Sequence, residues 1–439
     1  MKYFVKLFKK FITKKNIAYL FINMGNIPIM TVIGSFLAVY YVDILRMNEY
    51  AVGTMFLIAR IFDGINDPII GGMIDRIPGN KLKKFNRTLV VGSVVCAINY
   101  IILWLGPAFA CSNLKMSIAY ISYLFLGITF PIMDISLNSL LPVLGKDREE
   151  RESLSSIKVI GYGIGTVMIE IIIPIILSRF GTTVNVYSYI VFGIVAIVIA
   201  FTAGGACGLK NTVCVANMNL VNKEIKGISS FISIFTEKNV WGTFLSGLFF
   251  YTANAMLAVS NTYYTIYYLG DVKYLVYITI ATYALEILVV LFVSIFTRKW
   301  GIKKVFIIGL LISGIGLFMR FVPSSNVKNS FIALLISSAI YGLGYGFVMI
   351  LFYSIQAENV DTVYKQTGFQ AEGTIAALMS MVNKIGKGIG GALPLYILGV
   401  MKLADGTYSK LSLRIIDGLM PAVLFIIAGC IFFIKYQEY

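Results

Sequence analysis

The sequence predicts an all-α integral membrane protein with twelve transmembrane helices in two six-helix halves. Three observations support this fold class: the composition, the number of long apolar segments and the position of the longest polar gap. Of the 439 residues, 58% are hydrophobic and 13% are charged, whereas soluble domains are about 45–50% apolar and about 25% charged. Since a helix needs roughly 20 apolar residues to cross a bilayer, this composition leaves room for short loops only.

The apolar segments set the expected helices, because backbone groups in lipid must be hydrogen-bonded within their own segment. The longest polar gap, 209–240, divides the segments six and six. We therefore expect an N-terminal half at 1–208, a cytoplasmic middle loop at 209–240 and a C-terminal half at 241–439. The expected spans are approximately 17–45, 50–75, 87–108, 115–141, 154–179, 186–208, 241–268, 273–297, 304–322, 329–356, 374–402 and 413–435.

The distribution of Lys and Arg predicts the orientation of the spans. The termini and the even-numbered loops together contain about three times as many Lys and Arg residues as the odd-numbered loops. In membrane proteins, the loops that are rich in Lys and Arg are the cytoplasmic ones. Both termini are therefore expected in the cytoplasm, in a multi-pass protein of the plasma membrane. The same rule accounts for the net charge of +16, so we expect a lipid bilayer as partner and no nucleic acid, and we expect a monomer.

Two basic links suggest an internal repeat. DRIPGNKLKKFNRTLVVG follows span 2, and TRKWGIKKVFIIGL follows span 8. Each contains a turn and opens onto a new apolar helix, at equivalent places in the two halves. Such a repeat indicates the major facilitator fold, in which the substrate site lies near the midplane between the halves.

Span 2 carries ionisable residues where a membrane helix should have none. Asp63 and Asp67 are four residues apart and share one helical face with Arg60. Asn66 adds an amide oxygen, and Asp134 lies near the middle of span 4. Ionisable groups at bilayer depth are costly and usually mark a transport pathway. We predict a site for a small cation or a proton, and the alternative is a structural ion-pair network.

Other buried charges lie in spans 5, 8, 9 and 11. In span 11 we expect Lys384 to reach the acids of the N-terminal half, while Lys387 does so instead or extends toward the cytoplasm. Glu170 is the best secondary candidate, and a role for Glu286 stays open. Arg320, near the outer end of span 9, is expected to extend its guanidinium toward water.

Several segments resemble the glycoside–pentoside–hexuronide:cation symporters, the melibiose-permease group of the major facilitator superfamily. The matching segments are ARIFDGINDPIIGGMIDR, GITFPIMDISLNSLLP, DREERESLSSIK, AENVDTVYKQTGFQAEG and VNKIGKGIGG. The resemblance implies that Asp63, Asp67 and Asn66 belong to the cation site. It implies that Asp134 serves both cation and sugar, and that Lys384 links the two sites.

The chain also departs from this family's pattern in the sugar site. Asn26 stands in the span-1 region where the family has an aspartate, and Asn138 replaces a tryptophan. Outside the sugar site, Pro131 stands where a threonine of the cation site is expected. Lys158 replaces an arginine at the start of span 5, and Gln370 replaces another in the loop between spans 10 and 11. We therefore expect the cation machinery to be retained and galactoside recognition to be lost. Sugar stacking would then depend on other aromatic residues, such as Phe130, Tyr251 or Tyr353.

The expected function is cation-coupled symport, with Na⁺ or H⁺, of a small organic solute such as a glycoside or another carbohydrate. Alternatives are a lipid or lysolipid transporter of the same fold and a membrane sensor that does not transport. No cofactor beyond the coupling ion is expected, and Asp63 and Asp67 would be the metal ligands if it is Na⁺. An enzyme is not expected, because the chain has no histidine, no phosphate-binding loop and no metal-ligand spacing.

Overall fold

The computed structural model describes residues 13–145, 148–210, 237–322, 327–367 and 372–437, and nearly all of them are helical. Most of the predicted middle loop therefore lies outside the described residues. The long helices are α1 (Lys14–Ile44), α2 (Glu49–Asp75), α3 (Lys81–Phe109), α4 (Ser112–Leu144), α5 (Arg148–Phe180), α6 (Val184–Leu209), α7 (Lys238–Tyr268), α8 (Tyr274–Trp300), α9 (Ile302–Phe321), α10 (Val327–Thr367), α11 (Glu372–Val400) and α12 (Lys410–Lys435).

Within this described part, nine helices are long and apolar enough to cross a membrane, and α8, which is bent, makes ten if it counts as one span. The two remaining long helices are α2 and α11. They carry the ionisable residues that the sequence assigns to the cation site and to coupling, including Asp63 and Lys384. The helical membrane fold is confirmed, and the count of twelve spans stays a prediction.

Polar side chains fix where several helices begin. Thr13 accepts a hydrogen bond from the backbone N–H of Asn16 at 3.2 Å and starts α1. Asn80 starts α3 by accepting from two backbone N–H groups, and Thr183 starts α6 in the same way with one. Each such cap contributes about 1 kcal/mol to helix stability. It also provides a hydrogen-bond acceptor for a backbone N–H group that lipid could not satisfy.

The backbone repeats between the first six helices and the last six. All described residues with positive φ form three pairs at corresponding helix ends, after α1 and α7, after α2 and α8, and after α5 and α11. The pairs are Arg46 (57°) with Gly270 (88°), Gly79 (123°) with Gly301 (80°), and Gly181 (82°) with Gly406 (83°). The first pair follows five-residue π-helical turns, Tyr40–Ile44 and Tyr264–Tyr268. The basic links that predicted the repeat contain the second pair.

Helix pairing repeats as well. In the first set, α1 packs against α5 and α6, while α3 packs against α4 and α6. In the second set, α7 packs against α11 and α12, while α9 packs against α10 and α12. Each contact is reproduced six helices later, so the internal repeat expected from the two basic links is present in the structure.

Contacts group the chain into two units. One comprises Met1–Met47 and Phe62–Leu220, and the other comprises Asn48–Ile61 and Val221–Tyr439. The first part of α2 therefore joins the second unit, because glycines of α11 leave room for it. A Cβ at Gly388 would lie 2.8 Å from Arg60 Cβ, and one at Gly399 would lie 2.8 Å from the Tyr50 ring. The division at 209–240 that we expect from the sequence stays a prediction.

Aromatic side chains form much of the core of each unit. In the first unit the Tyr40 ring lies 5.0 Å from Trp104 and 4.7 Å from Tyr187, and all three residues are fully buried. In the second unit Phe250 contacts Phe352 and Phe425 at ring distances of 5.0 and 5.6 Å. These rings join helices that are distant in the sequence.

The prediction for Arg320 is wrong, because its guanidinium is completely enclosed. The side chains of Arg320 and Asp417 are 1% and 0% exposed and form an ion pair at 3.1 Å. Asp417 lies in the π-helical turn of α12, 97 residues downstream. Further hydrogen bonds come from neutral groups: Arg320 donates to Asn261, Ser337 and Ser338, and Ser260 donates to Asp417.

Removing one charge of this pair should destabilise the protein strongly. Asp417→Asn leaves the Arg320 cation unmatched in the interior, which costs about 3–5 kcal/mol. The matched control is Lys273→Gln, which breaks the exposed Lys273–Asp271 pair and should cost less than about 1 kcal/mol. Thermal unfolding in detergent checks both values. Equal stability of the two variants would contradict the buried pair, and the double variant Arg320→Met, Asp417→Leu should recover much of the loss.

Candidate functional site

A polar network surrounds the Asp134 carboxylate within the first unit. Its Oδ1 accepts hydrogen bonds from Asn26 Nδ2 at 2.7 Å and from the Tyr162 hydroxyl at 3.2 Å. Its Oδ2 accepts from Asn138 Nδ2 at 2.9 Å. The network therefore joins α1, α4 and α5. Three neutral donors therefore hydrogen-bond to this carboxylate.

Lys158 lies at the other side of Asn138. Its Nζ donates to Asn138 Oδ1 at 2.5 Å and lies 5.5 Å from the centre of the Tyr162 ring. The Asn138 amide thus separates the ammonium from the Asp134 carboxylate and bonds to both. Lys158 forms no ion pair with any residue that the structure describes. Asn138 is exposed and Lys158 is half-buried, so a solute could reach both.

The structure brings together four residues that the sequence predicts for substrate binding: Asn26, Asp134, Asn138 and Lys158. It adds Tyr162, which the sequence analysis missed. The sequence does not show whether a tyrosine within an apolar helix lines a binding site or packs in the core. The available signal was its position, since Tyr162 follows Lys158 by four residues and so lies on the same face of α5.

The predicted cation-site residues of α2 lie against α4. Asp63 is buried, with 9% of its surface exposed. A Cβ at Gly127 of α4 would lie 2.3 Å from Asp63 Oδ1, so the absence of a side chain at Gly127 permits the carboxylate to sit there. Asn66 Nδ2 donates to the Gly127 carbonyl at 2.7 Å. Asp67 is half-buried one turn further on.

Asp134 does not join Asp63 and Asp67 in one metal site. Across the described ranges, no group of three or more Cys, Asp and Glu side chains is placed to hold a metal ion. The physical reason is that both Asp134 oxygens are bonded to α1, α4 and α5 side chains. Its role in a cation site, and the roles of Asp63, Asp67 and Asn66, stay predictions.

In the second unit, the lysines of α11 differ in burial. Lys384 is half-buried and Lys387 is exposed. That Lys384 reaches the acids of the N-terminal half stays a prediction. The glycines of this helix permit close packing. A Cβ at Gly386 would lie 2.8 Å from Tyr251 Cβ, and one at Gly390 would lie 2.2 Å from the Thr252 carbonyl oxygen.

The three aromatic residues that the sequence predicts to stack on a sugar differ in their exposure. Tyr251 is half-buried and stacks on Phe352 at a ring distance of 5.7 Å. Phe130 is half-buried on α4, one turn before Asp134. Tyr353 is 71% exposed, whereas its neighbour Phe352 is buried in the core. Tyr251 and Phe130 are therefore the better candidates for stacking on a sugar ring.

A family model described as MFS/sugar transport protein matches residues 18–437 of the chain. A "Glucuronide carrier protein homolog" of Escherichia coli (strain K12) is 26% identical over 376 residues, which cover 83% of this chain and 79% of that protein. The "Isoprimeverose transporter" of Lactiplantibacillus pentosus is 23% identical over 380 residues, covering 84% and 76% of the two chains.

The fold also resembles solved transporter structures. The crystal structure of a D-xylose-proton symporter superposes with a TM-score of 0.69 and 14% sequence identity, covering 97% of this chain and 97% of that one. At this identity the likeness establishes the fold alone. It agrees with the helical membrane fold expected from the sequence.

Placing a side chain at Gly127 should displace Asp63. Gly127→Ala brings a methyl group against Asp63 Oδ1, and overpacking of this kind costs about 1–3 kcal/mol. Gly64→Ala is the matched control on α2, since no atom lies within 4 Å of a Cβ there. Thermal unfolding measures both. Combining Gly127→Ala with Asp63→Ala should remove most of the cost, and strict additivity of the two substitutions would contradict the predicted contact.

Proposed function

The chain belongs to the MFS/sugar transport protein family, and from this premise we propose that it is a cation-coupled symporter of a small, sugar-like solute. It is a membrane transporter and not an enzyme. The observation that carries the proposal is the Asp134 network, in which polar and charged side chains from α1, α4 and α5 meet inside apolar helices. Such groups are expensive in a membrane and mark a solute pathway.

Hydrogen-bonding groups of this network suit a polyhydroxylated solute. Asn138 is exposed and offers amide groups, and Lys158 offers N–H donors. An ammonium has three donors, and only one of those of Lys158 is used by Asn138. Tyr162 and Phe130 add aromatic surface on the same two helices. Stacking and hydrogen bonding together are what a binding site for a sugar ring requires.

The positive charge of Lys158 favours a solute with an anionic substituent. Asp134 accepts hydrogen bonds from neutral donors, whereas the Lys158 ammonium is bonded to the Asn138 amide and forms no direct ion pair within the described ranges. A carboxylate or sulfonate on the solute would match that charge, and a hydrogen bond to a charged group is worth about 1.5–3 kcal/mol. The similarity to a glucuronide carrier homolog supports the same class of solute.

Coupling would use the residues of α2. Asp63 and Asp67 supply two carboxylates one turn apart, and Asn66 supplies an amide oxygen, because its nitrogen is occupied by the Gly127 carbonyl. Oxygen ligands of this kind suit a small hard cation, and paired acids also suit a proton. We propose that both termini lie in the cytoplasm, from the distribution of Lys and Arg. We further propose that the protein is a monomer in the plasma membrane.

Transport in proteoliposomes tests the proposal. Purified protein is offered matched pairs of neutral and acidic solutes, such as a glucoside and the corresponding glucuronide, with an imposed Na⁺ or H⁺ gradient. We expect accumulation of the acidic member above its external concentration. Accumulation of lysolipids but no sugars would support a lipid transporter, and binding without accumulation under any gradient would support a sensor. Either result overturns the proposal.

Lys158 should determine the preference for the acidic solute. Lys158→Gln keeps a polar side chain but removes the charge, so the apparent affinity for the glucuronide should fall about tenfold or more. The affinity for the neutral glucoside should change little. Lys158→Arg should retain the preference, and Lys303→Gln, which lies over Phe433, should behave as wild type. Equal losses for both solutes in Lys158→Gln would contradict charge recognition.

A further inference from the structure

A single glutamate interrupts the apolar sequence of α8. Glu286 is the only charged residue between Lys273 and Arg298. The large side chains of Ile287, Leu288 and Ile295 are 63%, 48% and 59% exposed and form part of an apolar outer stripe. Since each residue turns a helix by about 100°, Glu286 lies on the side opposite Leu288. The glutamate therefore faces the interior of the second unit and not the outer surface of the helix.

The backbone around Glu286 lies at the crossing of α8 and α10. A Cβ at Gly346 of α10 would lie 3.0 Å from the Glu286 carbonyl oxygen, and one at Gly342 would lie 2.2 Å from the Thr282 carbonyl oxygen. The two helices therefore touch through their backbones at this point. A separation of the two helices would therefore change the surroundings of Glu286.

One oxygen of the carboxyl group of this half-buried residue has no partner in the part of the chain that the structure describes. Its Oε2 is fully buried and receives no hydrogen bond from any described residue. No lysine or arginine of the described residues forms an ion pair with it. By contrast, Asp417 in the same unit is paired with Arg320, and Glu358 accepts a hydrogen bond from the Tyr436 hydroxyl.

The titratable neighbour of Glu286 on α10 is the phenol of Tyr345. The other titratable groups around Tyr345 are also phenols, those of Tyr341 on α10, Tyr283 on α8 and Tyr251 on α7. Tyr345 accepts a hydrogen bond from Asn254 at 3.2 Å. Phenols ionise only near pH 10 in ordinary surroundings, so they stay neutral where a glutamate can change its charge. Glu286 is thus the group at this crossing, among the described residues, whose charge a change of pH can alter.

We propose that Glu286 is a proton-binding site of the second unit, occupied when α8 and α10 are packed together and vacated when they separate. A carboxylate oxygen that is buried without a hydrogen-bond donor disfavours the charged form, and such a group takes up a proton instead. By linkage, a low pH favours the packed arrangement and a high pH opposes it. This inference goes beyond the proposed function, because it adds a titratable site to the acids of α2 and makes transport depend on pH whichever cation is coupled.

Chemical labelling of the wild-type protein tests the site directly. A hydrophobic carbodiimide dissolves in the membrane and reacts with protonated carboxyl groups, and peptide mass spectrometry then locates the modified residue. At about pH 5 we expect Glu286 to be labelled at least five times as much as Glu358, and the labelling to fall steadily toward about pH 9. Labelling of Glu286 that is no stronger than that of Glu358, or that does not change with pH, overturns the proposal. The readout requires no transport, so its outcome is independent of the proposed function.

Two variants test whether protonation of Glu286 affects solute transport. Counterflow of the transported solute is compared at the same two pH values in Glu286→Gln, which resembles the protonated acid, and in Glu286→Asp, which retains a titratable group. We expect wild type and Glu286→Asp to slow at the higher pH, and Glu286→Gln to vary less than about twofold. A pH profile of Glu286→Gln that matches wild type overturns the proposal. If this variant fails to insert into the membrane, the labelling of the wild-type protein decides the question.

Discussion

Ionised side chains inside a membrane must be paired, hydrogen-bonded or neutralised, because an isolated charge in hydrocarbon is costly. This protein meets that requirement in different ways in different helices. Arg320 and Asp417 neutralise each other and are surrounded by neutral donors and acceptors. Asp134 accepts hydrogen bonds from neutral donors. Oε2 of Glu286 has neither kind of partner among the described residues, and this is the reason for assigning a proton to Glu286.

The difference between these environments separates structure from function. A fully satisfied ion pair such as Arg320–Asp417 has no capacity left for a ligand, so it holds α9 and α12 together. The Asp134 network retains capacity, because Asn138 is exposed and Lys158 keeps donors that no described residue occupies. A solute can therefore bind to this network without breaking an existing hydrogen bond to Asp134.

Much of the fold was predictable from the sequence, because most of the helices are long, apolar and separated by polar links. The two basic links also predicted the repeat, and the structure adds matching left-handed residues such as Arg46 and Gly270. Arg46 could not be recognised in advance, since a non-glycine residue with positive φ leaves no sequence signal. Nor could the grouping of Asn48–Ile61 with the second unit, which depends on glycines of α11 distant in the sequence.

The candidate site was partly predictable. Asn26, Asn138 and Lys158 were expected near Asp134, and hydrogen bonds connect them. Tyr162 was missed because tyrosines are common in these apolar helices. Arg320 was misjudged because its partner, Asp417, lies 97 residues away in a π-helical turn. A buried charge near a helix end looks the same in the sequence whether it extends to water or pairs with a distant helix.

Gradient-driven accumulation by Asp67→Asn tests the central claim most directly, because cation coupling is what makes this transporter active. The amide keeps the shape of the side chain and removes the charge. We predict that Asp67→Asn inserts normally and loses accumulation while solute counterflow persists, that Asp63→Asn behaves alike, and that the double variant is little worse than either, as expected of groups that act together. Normal accumulation per inserted molecule in Asp67→Asn would contradict the account.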